Sequence, residues 1–223
     1  MSTVLVIAGS DSSGGAGVVR DVRTLTRLDT RALCVVTAVT AQSDAHLTAV
    51  HVVPAESVRA QMAAALATRR VGAIKIGMLA RRATVLAVSA ALPEAAPPVV
   101  LDPVLASSSG GELLDDAGRS ALCAALLSRT TLLTPNIPEA AALLGTRSAG
   151  SEAELLQQAA ALLALGPRAV LLKGGHGHGP EAADLLLARD APPRWLRAPR
   201  IRDRKSTRLN SSHSGESRMP SSA

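Results

Sequence analysis

Short apolar runs alternate with amphipathic segments along most of the chain. Runs such as Val4–Ala8 and Ala73–Met78 are rich in aliphatic residues, as strands buried on both faces of a sheet usually are. They predict strands at residues 4–8, 32–39, 73–78, 98–104, 131–136, 168–175, 183–188 and 195–201. The intervening segments repeat apolar residues at the spacing of one helix face. They predict helices at residues 15–28, 54–68, 84–92, 115–127, 138–144 and 152–165.

This alternation of strand and helix indicates a three-layer α/β/α fold, in which helices cover both faces of a mostly parallel central sheet. A length of 223 residues suits one such domain. Residues 41–53 break the alternation and predict a small hairpin or a lid. The carboxyl ends of parallel strands meet at one edge of the sheet, where ligands of such folds bind. Small or polar residues mark six predicted strand ends, at Gly9–Asp11, Gln42, Gly77–Met78, Asp102, Asn136 and Lys173–Gly175.

Composition narrows the classes of function. The formal net charge is +6, but the basic residues are scattered and the chain has no Phe or Tyr that could stack on bases. We therefore expect no nucleic-acid partner. The sequence shows neither a signal-peptide pattern nor an apolar stretch as long as a membrane span, so we expect a cytoplasmic protein without a membrane partner. Cys34 and Cys123 lie in apolar runs and are expected to be reduced core residues.

The segment "VIAGSDSSGGAGVVRD", from Val6 to Asp21, joins the first predicted strand to the first predicted helix. Its glycine spacing matches neither the Walker loop nor the dinucleotide fingerprint, so a tight turn and a ligand-lining loop remain alternatives. Asp21 falls on the apolar face of the predicted helix. A carboxylate in that position needs a partner, which is either a ligand or a salt bridge at the edge of the apolar stripe.

Two later segments also carry candidate chemistry. In "TPNIPEA", Asn136 suits a helix cap and Glu139 a first-turn acid, but the same pair at a strand end could hold Mg²⁺ through water. In "LKGGHGHG", the glycines let backbone amides approach an anion. His176 and His178 could ligate a metal, although a mobile loop fits better because no Cys or acidic cluster joins them.

Six segments of the chain occur in an order that resembles the hydroxymethylpyrimidine/phosphomethylpyrimidine kinases of thiamine biosynthesis, which belong to the ribokinase-like superfamily. They are "VIAGSDSSGGAGVVRDVRTL", "AVTAQSD", "IKIGML", "VVLDPV", "LLTPNIPEAAALL" and "LLKGGH". The resemblance covers residues 3–202. Vitamin B6 kinases of the same superfamily share parts of it, so a pyridoxal or pyridoxine kinase is the nearest alternative.

The resemblance implies ATP-dependent phosphorylation of a hydroxymethylpyrimidine and then of its monophosphate. Asp21 and Gln42 could then form hydrogen bonds with the ring nitrogen and the amino group of the pyrimidine. The residues implied to contact the pyrimidine are Gly9, Asp21, Gln42, Met78 and Val104. The residues implied to bind ATP are Asp102, Asn136, Lys173 and Gly175. The residues implied to hold Mg²⁺ are Asp102 and Glu139. The family resemblance also leaves a homodimer open.

The family continues beyond this region into a Gly-Thr-Gly-Cys-Thr stretch, whose amides form an anion hole and whose Cys is catalytic. The present sequence contains no such stretch, so no catalytic residue is assigned. From Asp203 onward the chain is rich in Ser and Arg, and residues 203–213 and 217–223 match a translated sequencing adaptor. We therefore expect a truncated kinase domain at 1–202 and a non-native disordered tail at 203–223. Such a chain would be inactive, and a non-catalytic small-molecule-binding remnant is a further alternative.

Overall fold

A computed structural model describes residues 2–43, 46–107, 111–175 and 181–199. The predicted tail at 203–223 lies outside the described residues, as do His176 and His178. The strands are β1 (Thr3–Asp11), β2 (Arg31–Gln42), β3 (Leu47–Val52), β4 (Ala73–Ile76), β5 (Val99–Leu101), β6 (Leu132–Leu133), β7 (Ala169–Leu172), β8 (Glu181–Ala188) and β9 (Ala191–Pro199). The helices are α1 (Gly17–Arg27), α2 (Ala55–Thr68), α3 (Arg82–Ala91), α4 (Asp116–Ala125), α5 (Ile137–Leu144) and α6 (Glu152–Ala164).

All of these strands join one sheet in the order β3-β2-β1-β4-β5-β6-β7-β8-β9. The six strands from β2 to β7 in that order run parallel, whereas β3, β8 and β9 pair antiparallel at the two edges. The predicted mostly parallel α/β sheet is therefore confirmed. The break in alternation at 41–53 contains the end of β2 and all of β3, which pair antiparallel, so the hairpin is the correct alternative for the described part of that segment.

The main hydrophobic core lies on one face of the sheet. Alternate strand residues such as Leu5, Ile7, Ile74 and Ile76 are fully buried there. Helices α2 to α6 supply the other side of this core, with apolar residues at helical spacing. On the opposite face the alternate positions of β1 are also buried, whereas those of β5, β6 and β7, such as Val100, Leu132 and Leu171, are only partly buried.

Helix α1 packs on that opposite face. Val6 and Ala8 of β1 are buried there against Val18 of α1. Lys75 lies between Ile74 and Ile76 in β4, and because successive strand side chains point to opposite faces, its side chain lies on the α1 side. A lysine in the middle of an apolar strand is thereby brought to the helix that carries Asp21.

Three sequence-based details differ from the structure. Cys34 is exposed, so its interpretation as a core residue was wrong; Cys123 is half-buried. Apolar periodicity does not show which strand positions a helix covers, and Cys34 pairs with Val6 where that cover is incomplete. Strand β6 is far shorter than the predicted strand at 131–136, because Pro135 has no N–H for the ladder and Asn136 already caps α5. The helix predicted at 115–127 gives way after Ala125 to a 3₁₀ turn, Leu127–Arg129.

The helices are short in comparison with a bilayer. Helix α2 has 14 residues, and a membrane span needs about 20. Within the described ranges, no helix is both long and apolar enough to cross a membrane.

Candidate active site

A cleft lies at the carboxyl ends of β1 and β4, beside the start of α1 and the end of β2. Its empty volume, including space that is open to solvent, is about 510 Å³. The residues that line it are Ala8, Gly9, Ser10, Asp11, Ala16, Gly17, Thr40, Gln42, Lys75, Gly77, Met78, Val104, Ser107 and Leu113. The cleft therefore stands where parallel sheets of this kind bind ligands.

The glycine loop is both a tight turn and a wall of this cleft. The Asp11 carboxylate accepts hydrogen bonds from the backbone N–H and the hydroxyl of Ser13, each at 2.9 Å. Gly17 has a φ of +59°, and a Cβ there would lie 2.1 Å from the Gly9 carbonyl oxygen. Only glycine fits this contact without rearrangement of the chain. The two alternatives left open by the sequence are thus compatible, since the turn geometry itself shapes the cleft wall.

The structure brings together most of the residues implied for the pyrimidine. Gly9, Gln42, Met78 and Val104 line the cleft. A Cβ on Gly9 would approach the Met78 sulfur to 2.9 Å, so the missing side chain leaves room at the wall. Asp21 is not among the lining residues; it is buried behind them, and its Oδ2 accepts a 2.6 Å hydrogen bond from Lys75 Nζ.

Lys75 was not singled out from the sequence, yet its side chain lines the cleft. Its ammonium also provides the partner that a carboxylate on an apolar helix face requires. One signal could have pointed to it, because Lys75 is the charged residue inside the apolar strand "AIKIGM". Nothing local indicated which buried acid it meets, since 54 positions separate it from Asp21.

A second group of polar side chains lies where β5 and β7 end. Asp102 is almost completely buried, and its Oδ1 accepts hydrogen bonds from Lys173 Nζ at 3.1 Å and from the Thr134 hydroxyl at 3.4 Å. Its other oxygen, Oδ2, is buried without a hydrogen-bond partner in the structure. Burial raises the pKa of the Asp102 carboxyl, while the charges of Lys173 and Lys75 oppose that rise.

Asn136 and Glu139 form a capping box at the start of α5. The Asn136 side chain accepts from the Glu139 N–H, and the Glu139 carboxylate accepts from the Asn136 N–H, both at 2.8 Å. Burial, reinforced by the nearby charge of Asp102, raises the pKa of Glu139 to about 7. The helix-cap interpretation of both residues is confirmed, and it leaves Glu139 close enough to Asp102 for their charges to interact.

The predicted nucleotide loop leaves β7 beside this group. Lys173 pairs with Asn136 as an isolated bridge, and its N–H donates to the Pro135 carbonyl at 2.8 Å. The Gly174 N–H donates to Asp184, and a Cβ on Gly174 would lie 1.8 Å from the Ala183 carbonyl oxygen. Gly175 is exposed at the end of the described segment, so it can be approached from solvent.

The donor set around Asp102 fits Mg²⁺. Among the described residues no three His, Cys, Asp or Glu side chains cluster as a complete metal cage. Mg²⁺ does not need one, since it commonly keeps several waters and takes one or two carboxylates together with substrate phosphates. The unpartnered Oδ2 of Asp102 and the neighbouring carboxyl of Glu139 are groups of that kind.

The fold and the cleft define the class as a ribokinase-like α/β protein. Solved structures of that class superpose on most of the chain. The family model described as phosphomethylpyrimidine kinase matches residues 11–208, and the chain belongs to this family.

Individual relatives agree with that assignment. The hydroxymethylpyrimidine/phosphomethylpyrimidine kinase of Rhizobium meliloti is 44% identical over 200 residues, which are 90% of this chain and 75% of the relative. The phosphomethylpyrimidine kinase of Clostridium difficile has a TM-score of 0.80 at 34% identity, covering 89% of this chain and 84% of that one. The pyridoxal kinase of Staphylococcus aureus, solved with AMP-PCP and pyridoxal, has a TM-score of 0.81 at 28% identity, covering 91% and 73%.

Proposed function

We propose that the cleft binds 4-amino-5-hydroxymethyl-2-methylpyrimidine and its monophosphate, and that the family's reaction on them is ATP-dependent phosphorylation. The observation that supports this most is the convergence of Gly9, Gln42, Met78 and Val104 on one cleft. Four residues from four separate segments meet there, as the resemblance implies for a pyrimidine site. The identity to kinases named for these two substrates supports the same assignment.

The cleft residues suggest how a pyrimidine would be held. Met78 and Val104 offer apolar surface to a ring, and Gly9 leaves the space that a side chain would fill. The Gln42 amide has both a donor and an acceptor, so it can recognise an amino group beside a ring nitrogen. Such a site binds through shape and a few placed hydrogen bonds, as small-molecule pockets generally do.

We assign the ATP phosphates to the neighbouring group at Asp102, Asn136, Lys173 and Gly175. The Lys173 ammonium and the Gly175 backbone amide would neutralise and orient phosphate oxygens. Asp102 and Glu139 would hold Mg²⁺, which when bound supplies charge neutralisation and orients the phosphates for in-line transfer. The buried position of Asp102 keeps its carboxylate where water competes least for it.

We further propose that the 223-residue chain binds the pyrimidine but phosphorylates it far below the rate of its relatives. Its sequence contains no Gly-Thr-Gly-Cys stretch to provide the anion hole and the base. Loss of one oxyanion donor costs about 100- to 1,000-fold, and loss of a general base about 100- to 10,000-fold.

An assay of ADP release with purified chain, pyrimidine and ATP tests this proposal. The unmodified chain should release no ADP above background. A chimera that continues after Arg202 with the carboxyl-terminal segment of the Rhizobium meliloti relative should regain activity. Robust turnover by the unmodified chain would overturn the proposed inactivity, and a folded but inert chimera would overturn the proposed substrate.

A vitamin B6 kinase is the second candidate, because a pyridoxal kinase solved with pyridoxal superposes about as well as the pyrimidine kinase does. Calorimetric titration of the chain with the pyrimidine and with pyridoxal separates the two. We expect tighter binding of the pyrimidine; a clear preference for pyridoxal would favour the second candidate.

A further inference from the structure

The cleft contains one positively charged side chain among its described lining residues, and this is Lys75. The other charged lining residue, Asp11, has both carboxylate oxygens engaged by Ser13 in the loop turn. Lys75 is therefore the charged group best placed to meet a ligand. Its side chain is 19% exposed, and the side chain of Asp21 behind it is 11% exposed.

The position of the Lys75 ammonium is closely determined. On the helix side, Asp21 of α1 binds it, with 2.6 Å between Lys75 Nζ and Asp21 Oδ2. On the strand side, a Cβ at Gly77 would come within 3.1 Å of Lys75 Nζ, so the glycine leaves the space that the ammonium occupies. An ammonium has three N–H donors, and Asp21 takes one of them in the structure. The other two N–H donors of Lys75 are therefore carried by a side chain that lines the cleft.

The pair also lies within electrostatic reach of the second polar group. Burial raises the pKa of Asp102; the Lys75 charge opposes that rise and the Asp21 charge adds to it.

From these contacts we propose that Lys75 determines substrate specificity by donating a hydrogen bond to an acceptor atom of the bound pyrimidine, and that Asp21 is its positioning residue. This inference rests on the proposed function and changes the role that the family resemblance implies for Asp21. At this point of the cleft the protein offers a cationic donor, not the Asp21 carboxylate. The site therefore selects a ring nitrogen lone pair or a hydroxyl or phosphate oxygen, and it rejects a donor or a cation there.

Calorimetric binding of the pyrimidine to the 223-residue chain without ATP tests this proposal. Lys75→Met should weaken binding about 10- to 100-fold, which is the usual effect of losing a charge-assisted hydrogen bond. Asp21→Asn keeps an acceptor for the ammonium and should stay within about 5-fold of wild type, whereas Asp21→Ala, which removes it, should lose more.

The double variant Asp21→Asn/Lys75→Met keeps the test independent of folding, because no unpaired carboxylate remains buried in it. It should bind as weakly as Lys75→Met alone. Arg197→Gln is the matched control, since it breaks the exposed Arg197–Glu152 ion pair away from the cleft. That control should bind like wild type, and thermal unfolding should show all variants folded.

Two results would overturn the proposal. Wild-type affinity in the double variant would mean that the ion pair is structural only. A loss in Asp21→Asn as large as in the double variant would mean that the carboxylate itself contacts the substrate. Failure of the proposed function looks different: the wild-type chain would bind pyridoxal in place of the pyrimidine, and the same variants would then be compared with pyridoxal.

Discussion

Replacement of Glu139 by glutamine should remove a pH-dependent loss of stability from this protein. Glu139 is 6% exposed, and its pKa rises from an ordinary 4.5 to about 7 through burial and the charge of Asp102. In the unfolded chain the carboxyl ionises near its ordinary pKa. Between the two values the folded protein holds a proton that the unfolded chain has released. The contribution of Glu139 to stability is therefore fully present below pH 4.5, and it is lost as the pH rises towards 7.

The size of the effect follows from that interval. Each pH unit between the two pKa values removes about 1.4 kcal/mol, so about 3 kcal/mol is lost by about pH 8. Glutamine keeps an oxygen that can accept the 2.8 Å hydrogen bond from the Asn136 N–H, so the capping box can persist. The variant and the wild type should then be similarly stable near pH 5, and the variant more stable by about 3 kcal/mol near pH 8.

Urea denaturation followed by far-ultraviolet circular dichroism, at several pH values from about 5 to 8, measures this difference. Asp102 is present in both chains, so its own titration largely cancels in the comparison. Glu94→Gln is the control, because Glu94 is exposed and its replacement should change stability by less than about 0.5 kcal/mol at any pH. Parallel stability curves for wild type and Glu139→Gln would refute the reasoning, because they would show that the buried carboxyl ionises as it does in water.

Two further substitutions test the cleft and the nucleotide loop. Gln42→Ala should weaken pyrimidine binding about 5- to 150-fold in an active chimera and leave ATP binding intact, as measured by calorimetry with each ligand; unchanged pyrimidine affinity would remove Gln42 from the pocket. Gly174→Ala should lower the free energy of unfolding by about 1–3 kcal/mol, and the melting temperature by several degrees, because the new Cβ would lie 1.8 Å from the Ala183 carbonyl oxygen. Gly175→Ala, whose Cβ meets nothing within 4 Å, should melt close to wild type, and equal melting of both variants would contradict the contact.

The sequence by itself determined the fold class and the edge of the sheet that carries the site. Apolar runs without alternation are typical of strands covered on both faces, and their regular exchange with helices allows little other than a parallel sheet. In such a sheet the carboxyl ends of the strands lie together. The residues after them, among them Gly9, Gln42 and Asp102, are therefore expected on one side of the molecule from their place in the sequence alone.

Local pattern also identified the start of α5. Asn136 and Glu139 are three residues apart, and a capping box needs only contacts within one turn. Such features can be predicted because residues that are three positions apart at a helix start are also neighbours in space.

Only the tertiary structure decided which charges meet. Lys75 and Asp21 are 54 positions apart, and Lys173 and Asp102 are 71. The strand order, with β6 between β5 and β7, brings Lys173 to Asp102, and the side on which α1 packs brings Asp21 to Lys75. Neither pair can be predicted from the residues next to it in the chain. The same reason explains the exposure of Cys34. Periodicity indicates which positions share a face, but the cover on that face, and the partner of a buried charge, depend on elements that are remote in the chain.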